Sequence, residues 1–139
     1  MKNLEQLEAI ATQVVDVALC VHRELGPGLL ESAYEMALCR ELSLRELRFE
    51  RQKAMPVTYK GVALDCGYRI DVLVEDVIVI ELKAVDELAP VHAAQLFTYL
   101  KLADCHIGFL INFNTRLLKN GIKRIVYKLP EEQAAKHRV

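Results

Sequence analysis

The chain has 139 residues, 53% hydrophobic and 27% charged, with a net charge of −1. That length suits one domain with a real core, and the composition excludes a disordered chain. The charge gives no support to a uniformly basic nucleic-acid binder, although a local basic patch remains open.

No stretch reaches the roughly 20 apolar residues of a membrane span, so no membrane partner is expected. The opening residues Met1 to Gln6 are too polar for a signal peptide. Cys20, Cys39, Cys66 and Cys105 are far apart and form no Cys-x-x-Cys pair. Buried, reduced thiols in a cytoplasmic protein are therefore expected rather than a zinc site.

Leu4, Leu7, Ala11, Val14, Ala18, Val21 and Leu25 recur at steps of three and four, which predicts one face of a helix from about Leu4 to Leu25. Asn3 and Gln6 have the spacing of a capping box at its start, and Gly26-Pro27 stops it. Such a stripe serves the chain's own core or, in a different reading, the seam of a homodimer. A second helix is predicted from near Leu29, with Leu30, Ala33, Ala37, Leu38 and Leu42 on its apolar side. Glu31 and Tyr34 share a face of it. Glu31 also falls in the first turn, where the helix dipole alone would favour a carboxylate.

From Phe49 the pattern changes to strands. Phe49 to Ala54 is mostly polar and reads as an edge strand, and Pro56, with no amide to donate, fits an edge too. Val57 to Tyr59 and Val62 to Leu64 flank a turn at Lys60-Gly61. Gly67 to Val74 alternates, placing Tyr68, Ile70, Val72 and Val74 on one face and Arg69, Asp71 and Leu73 on the other.

Val77 to Val85 is an apolar run suited to a strand buried on both faces, yet it contains Glu81 and Lys83. Residues two apart on a strand share a face. Charges in a buried strand cost several kcal/mol each, to order of magnitude, unless paired, hydrogen-bonded or bound to metal. The pair is therefore either a structural ion pair or part of a site.

Pro90 to Ala103 reads as a third helix with Pro in the tolerated first turn. Ala93, Leu96, Phe97 and Leu100 suit its core side, while His92, Gln95 and Tyr99 share another face. His92 reads as a capping or packing residue. His106 to Phe113 and Ile122 to Leu129 are the last strands. Strand, helix, strand predicts a parallel crossover. Arg116, Lys119, Lys123, Arg124 and Lys128 cluster without an acidic neighbour in sequence, either as a solvated face or as a rest for phosphates. Residues 1–139 form one domain in this reading, with 130–139 a loose tail.

The order is a helix with Glu31, a strand with Asp71, a strand with Glu81-Leu82-Lys83, and a helix with Gln95 and Tyr99. It resembles the PD-(D/E)XK nuclease superfamily, and more narrowly its GxxExxY family. The motif Gly28-Leu29-Leu30-Glu31-Ser32-Ala33-Tyr34 carries the narrower resemblance, with Gln95-Leu96-Phe97-Thr98-Tyr99 as a Q-x-x-x-Y element. The surrounding Val21 to Gly28, Val79 to Val85 and Ile111-Asn112-Phe113 fit as well. The resemblance implies an α/β, restriction-endonuclease-like core of order αβββαβ, with a mixed sheet flanked by helices. It also implies a glycine near the end of the second helix, where this chain has Glu46.

By the same resemblance Glu31, Asp71, Glu81, Lys83, Gln95 and Tyr99 are the catalytic set. Asp71, Glu81, the Leu82 carbonyl and Glu31 are the ligands of Mg²⁺, for which Mn²⁺ can substitute. Hard carboxylate oxygens suit that ion. Lys83 would orient or help deprotonate the attacking water, or stabilise developing charge, and Glu31 would hold a water of the ion's shell or a second ion. Gln95 and Tyr99 would position the site or the strand. The expected function is Mg²⁺-dependent hydrolysis of phosphodiester bonds, with nucleic acid as partner and DNA preferred over RNA. The competing readings are a catalytically silent nucleic-acid-binding or protein-interaction module with the same fold, and a structural dimer.

A two-residue turn at Glu75-Asp76 would set Asp71 opposite Ile80 and put Asp71 and Glu81 on different faces. A shared site therefore requires an odd-length loop or a bulge. A three-residue loop needs a left-handed residue and Val77 suits that badly, so a bulge near Asp71 or a longer loop is the expectation.

Overall fold

The computed structural model describes residues 1–131, so the expectation of a loose tail falls mostly outside the described residues. The chain runs α1 (Leu4–Leu25), α2 (Glu31–Leu44), β1 (Phe49–Ala54), β2 (Val57–Tyr59), β3 (Val62–Leu64), β4 (Arg69–Val74), β5 (Ile78–Lys83), α3 (Pro90–Ala103), β6 (Ile107–Asn112) and β7 (Ile122–Val126). A short 3₁₀ turn, Leu118–Asn120, precedes β7.

β1, β4, β5, β6 and β7 form one sheet in that order. β5 and β6 are parallel across the α3 crossover, and the other neighbours are antiparallel. The sheet is thus mixed, and the order α2-β1-β4-β5-α3-β6 is the expected αβββαβ core. β2 and β3 form a separate hairpin.

Covering both faces of the sheet explains the apolar run of β5. On one face Leu7, Val14, Val21, Tyr34, Leu38 and Leu42 from α1 and α2 pack on Val72, Val74, Ile78, Ile80 and Leu82. On the other, Leu96, Tyr99 and Leu100 of α3 pack on Leu73, Val79 and Leu110. α3 comes close because Gly108 lies beneath it: a Cβ there would meet Leu96 at 3.0 Å and Leu100 at 3.2 Å. The α1 stripe is used within the chain's own core.

The predicted bounds of α1 and α3 hold, and Asn3 and Gln6 close a reciprocal cap at 2.8 and 2.9 Å. Three expectations for the faces of the helices and of β4 fail. Leu30 is the N-cap of α2 and is 77% exposed, so Tyr34 takes the core position the pattern gave to Leu30. Phe97 lies at the rim, edge-on to Tyr127, while Tyr99 is buried. Ile70 joins the α3-side cluster and not that of Val72 and Val74, so the alternation of β4 breaks at Asp71. Of the cysteines, all free, Cys39 and Cys105 are buried but Cys66 is exposed.

The end of α2 resolves the missing glycine. The Leu47 amide donates to the Leu42 carbonyl and the Glu46 amide to that of Ser43, each at 3.0 Å. That is a Schellman closure with Glu46 in the left-handed region at φ 59°. An L side chain there is strained by roughly 1–2 kcal/mol, part of which glycine's entropy offsets. Glu46→Gly should therefore raise unfolding stability by about 0.5–1 kcal/mol. A urea midpoint that stays put or falls would contradict this strain.

Candidate active site

The β4–β5 hairpin decides which side chains meet. Val74 pairs with Ile78, Leu73 with Val79 and Val72 with Ile80. The loop is therefore Glu75-Asp76-Val77, an odd number, and the parity that a shared site requires is met. The expected bulge or longer loop is not what sets this parity. The left-handed backbone falls on Glu75 (φ 51°) and Asp76 (φ 61°), while Val77 stays out of that region and closes the turn on the Val74 carbonyl at 3.0 Å. Asp tolerates this conformation. Glu75 is tied across to β1, its carboxylate accepting the Arg48 amide at 2.6 Å and its own amide donating to the Arg48 carbonyl.

The next rung would join Asp71 to Glu81, on the α3 face with Leu73 and Val79. There the ladder gives way to side chains. Asp71 Oδ2 accepts the Leu82 amide at 2.8 Å, and Glu81 Oε1 accepts the Asp71 amide at 3.3 Å. Each carboxylate thus has one oxygen held by the other strand's backbone. Within a strand a residue's N–H and C=O point to the same side, so the Leu82 carbonyl lies on the Asp71 side of β5.

Two carboxylates held this close resist ionising together. Burial, and then the charge of Asp71, push the Glu81 carboxyl up to about 8. Burial raises Asp71 as well, against the Leu82 amide, which favours its charged form. Glu31, at the first turn of α2, is raised by burial and by the charge of Asp71, and lowered by Lys83.

Glu31 and Lys83 thus lie within electrostatic reach of the pair without direct contact. Among the described residues Lys83 makes no ion pair, so the structural Glu81–Lys83 bridge is not formed. The end of β5 is fixed instead by buried Asn112, which donates to the Val85 carbonyl at 2.9 Å and accepts its amide at 3.1 Å. From α3, Gln95 donates to the Tyr99 hydroxyl at 3.1 Å. Burial and the Glu81 charge raise the Tyr99 phenol, which places it beside the carboxylates. His92 accepts the Ala89 amide at 3.0 Å, the capping role the sequence gives it.

Three neighbours escape sequence reading. Buried Glu35 receives Arg51 through Nε at 3.2 Å and Nη2 at 2.8 Å, and Gln52 Nε2 at 2.7 Å. Gln52 also reaches Asp71 Oδ1 at 3.4 Å and sits at φ 49° within β1, level with Asp71. Glu35 follows Glu31 by four residues, so a second carboxylate on that helix face was readable. Gln52 left no such signal in a strand that reads only as a polar edge.

Hard carboxylate oxygens, with Asp71 Oδ1 and Glu81 Oε2 free of backbone amides and a carbonyl beside them, fit a divalent cation, whose charge would offset the repulsion between the two carboxylates. Among the described residues no three His, Cys, Asp or Glu side chains converge as a ligand set, so Glu31 is not brought into direct ligation with the pair.

A family model described as the PD-(D/E)XK nuclease superfamily matches residues 8–125. Among curated proteins none matches the chain. The crystal structure of SSO0001 is similar at 21% identity and a TM-score of 0.37, over 88% of this chain and 68% of that one. No helix among the described residues is long and apolar enough to cross a membrane.

The raised carboxyl has a consequence for the cation-free protein. Glu81 ionises near 4.3 when unfolded but near 8 when folded. Between those values the folded state binds more protons, so this contribution is complete below the lower value and is lost as pH rises through the upper one. In EDTA, wild-type stability should fall relative to Glu81→Gln between about pH 5 and 8, by at most about 1.4 kcal/mol per pH unit. Denaturant melts across that range measure it; parallel curves would remove the carboxyl pair as its cause.

Proposed function

The chain belongs to the PD-(D/E)XK nuclease superfamily, and we propose that it is a Mg²⁺-dependent nuclease hydrolysing phosphodiester bonds in DNA. The observation that carries this is the Asp71–Glu81 pair, two carboxylates on adjacent strands each anchored by the other strand's amide. Gly28, Glu31 and Tyr34 support assignment to the GxxExxY branch within the superfamily. The four free cysteines accord with a reducing, cytoplasmic setting.

In this reading Asp71, Glu81 and the Leu82 carbonyl bind the cation, with Glu31 acting through a water or a second ion. A divalent cation there would neutralise charge on the phosphoryl oxygens and activate water. Lys83, in no ion pair among the described residues, orients the attacking water and stabilises charge as it develops. The water oxygen bonds to phosphorus, one P–O ester bond breaks, and the departing oxygen takes a proton. Tyr99, held by Gln95, positions the strand against the carboxylates.

Mg²⁺ or Mn²⁺ should raise the melting temperature of the wild type, because a ligand of the native state stabilises it by mass action. Glu81→Ala should abolish that rise, and an equal rise in both proteins would sink the cation site. Cleavage of labelled single- and double-stranded DNA and RNA, with Mg²⁺, Mn²⁺ or EDTA, tests the activity itself. Binding without cleavage under every condition would favour the silent module.

Lys83→Met retains the stem and removes the charge, and should lower cleavage by roughly 10²–10⁴-fold with an unchanged melting curve. Full activity would remove Lys83 from the chemistry.

A further inference from the structure

The acidic site creates a problem for an anionic substrate. The charges of Glu31, Glu35 and Glu81 gather around Asp71, and the net charge of −1 supplies no overall attraction. A phosphodiester chain must then be held by cations concentrated locally.

One groove meets that need. It has a volume of about 610 Å³ and lies where the end of α1 and the Gly26-Pro27 turn meet the segment before β7. Arg23, Arg116 and Lys119 line it. None of the three is in an ion pair among the described residues. The carboxylate in its wall, Asp16, is taken by Arg45 at 2.6 Å. Leu19, Pro27 and Leu117 give it an apolar side, and Leu117 is 46% exposed.

The groove is coupled to the catalytic strand. The Lys83 carbonyl accepts the Phe113 amide at 2.9 Å. The Phe113 ring stacks on Tyr34 with centroids 4.6 Å apart, and the Tyr34 hydroxyl donates to the Gly26 carbonyl in the groove wall at 2.5 Å. His22, also in the wall, bonds through Nε2 to the Thr115 carbonyl at 2.7 Å, one residue before Arg116. Glu31 stands just beyond the same Gly26-Pro27-Gly28 turn.

We propose that this groove seats a single-stranded stretch of the nucleic-acid substrate leading away from the site, with Arg23, Arg116 and Lys119 on its phosphates. This rests on the nuclease reading and adds the form and path of the substrate. A duplex turns only its phosphates and groove edges outward, and an apolar wall matches neither. A single strand exposes base faces for the apolar wall while its phosphates meet the cations.

The test is anisotropy of labelled oligonucleotides with the full chain in EDTA, single- and double-stranded, DNA and RNA, over a range of salt. Arg23→Ala/Arg116→Ala/Lys119→Ala should weaken single-strand binding about tenfold or more and reduce the salt slope by about 2, with Arg116→Ala alone giving about a third of that slope change. The reference variant Arg48→Ala/Lys60→Ala/Lys101→Ala removes as much charge away from the groove and should leave the slope near wild type. Weakening for DNA, RNA or both supports the groove. Equal weakening by the two triple variants, no weakening, or weakening confined to duplex overturns it. A wild type that cleaves while the groove variant binds normally overturns the groove alone; a wild type that neither binds nor cleaves overturns the nuclease reading with it.

Discussion

The exchange between Asp71 and Glu81 is the constraint around which the sheet is built. Two neighbouring strands stop pairing backbone to backbone, and each carboxylate takes an amide that the ladder would have used. Without such partners those buried groups would be costly. The arrangement depends on strand parity, which a three-residue loop supplies by placing left-handed backbone on Glu75 and Asp76. It depends equally on α3, whose approach over Gly108 seals the face on which the pair lies.

The residues of the Gly28–Tyr34 motif divide into two kinds of work. Glu31 carries charge toward the site, whereas Tyr34 is wholly buried and acts as a clamp. Its hydroxyl joins the Gly26 carbonyl to the Leu29 amide, and its ring lies against Phe113, just past the end of β6, whose amide donates to the Lys83 carbonyl. The turn, the start of α2 and the ends of β5 and β6 are thereby fixed together. Glu31 is held at the site because Tyr34, three residues later, ties the start of its helix to the turn before it.

How much of this was legible in the sequence follows from the range of each interaction. α1 and α3 were readable to their ends because caps, glycine and proline act within one turn. Glu81 and Lys83 stood out because charge in an apolar strand needs an explanation, whereas Asp71 was singled out only by its place in the motif. The exposure of Leu30 was not, since the N-cap lies half outside the helix and periodicity extends past it. The Glu35–Arg51–Gln52 network was not either: it joins a helix to a strand that reads as an ordinary solvated edge. The parity argument correctly required an odd loop but assigned the strain to Val77, because the sequence does not say which loop residue takes the left-handed conformation. Arg124, grouped by sequence with unpaired cations, meets Glu8 of α1 at 2.6 Å, a contact that only the fold creates.

The left-handed Gln52 has a further effect that concerns other molecules. β1 is an outer strand of the five-stranded sheet, and an outer strand offers a row of amides and carbonyls to any extended chain that meets it. At Gln52 that row is interrupted, and Glu50, Arg51 and Lys53 place charge on either side. An added strand would find its pairing broken in the middle of six residues. The same backbone distortion that brings an amide group to Asp71 therefore also guards the sheet against edge-to-edge aggregation.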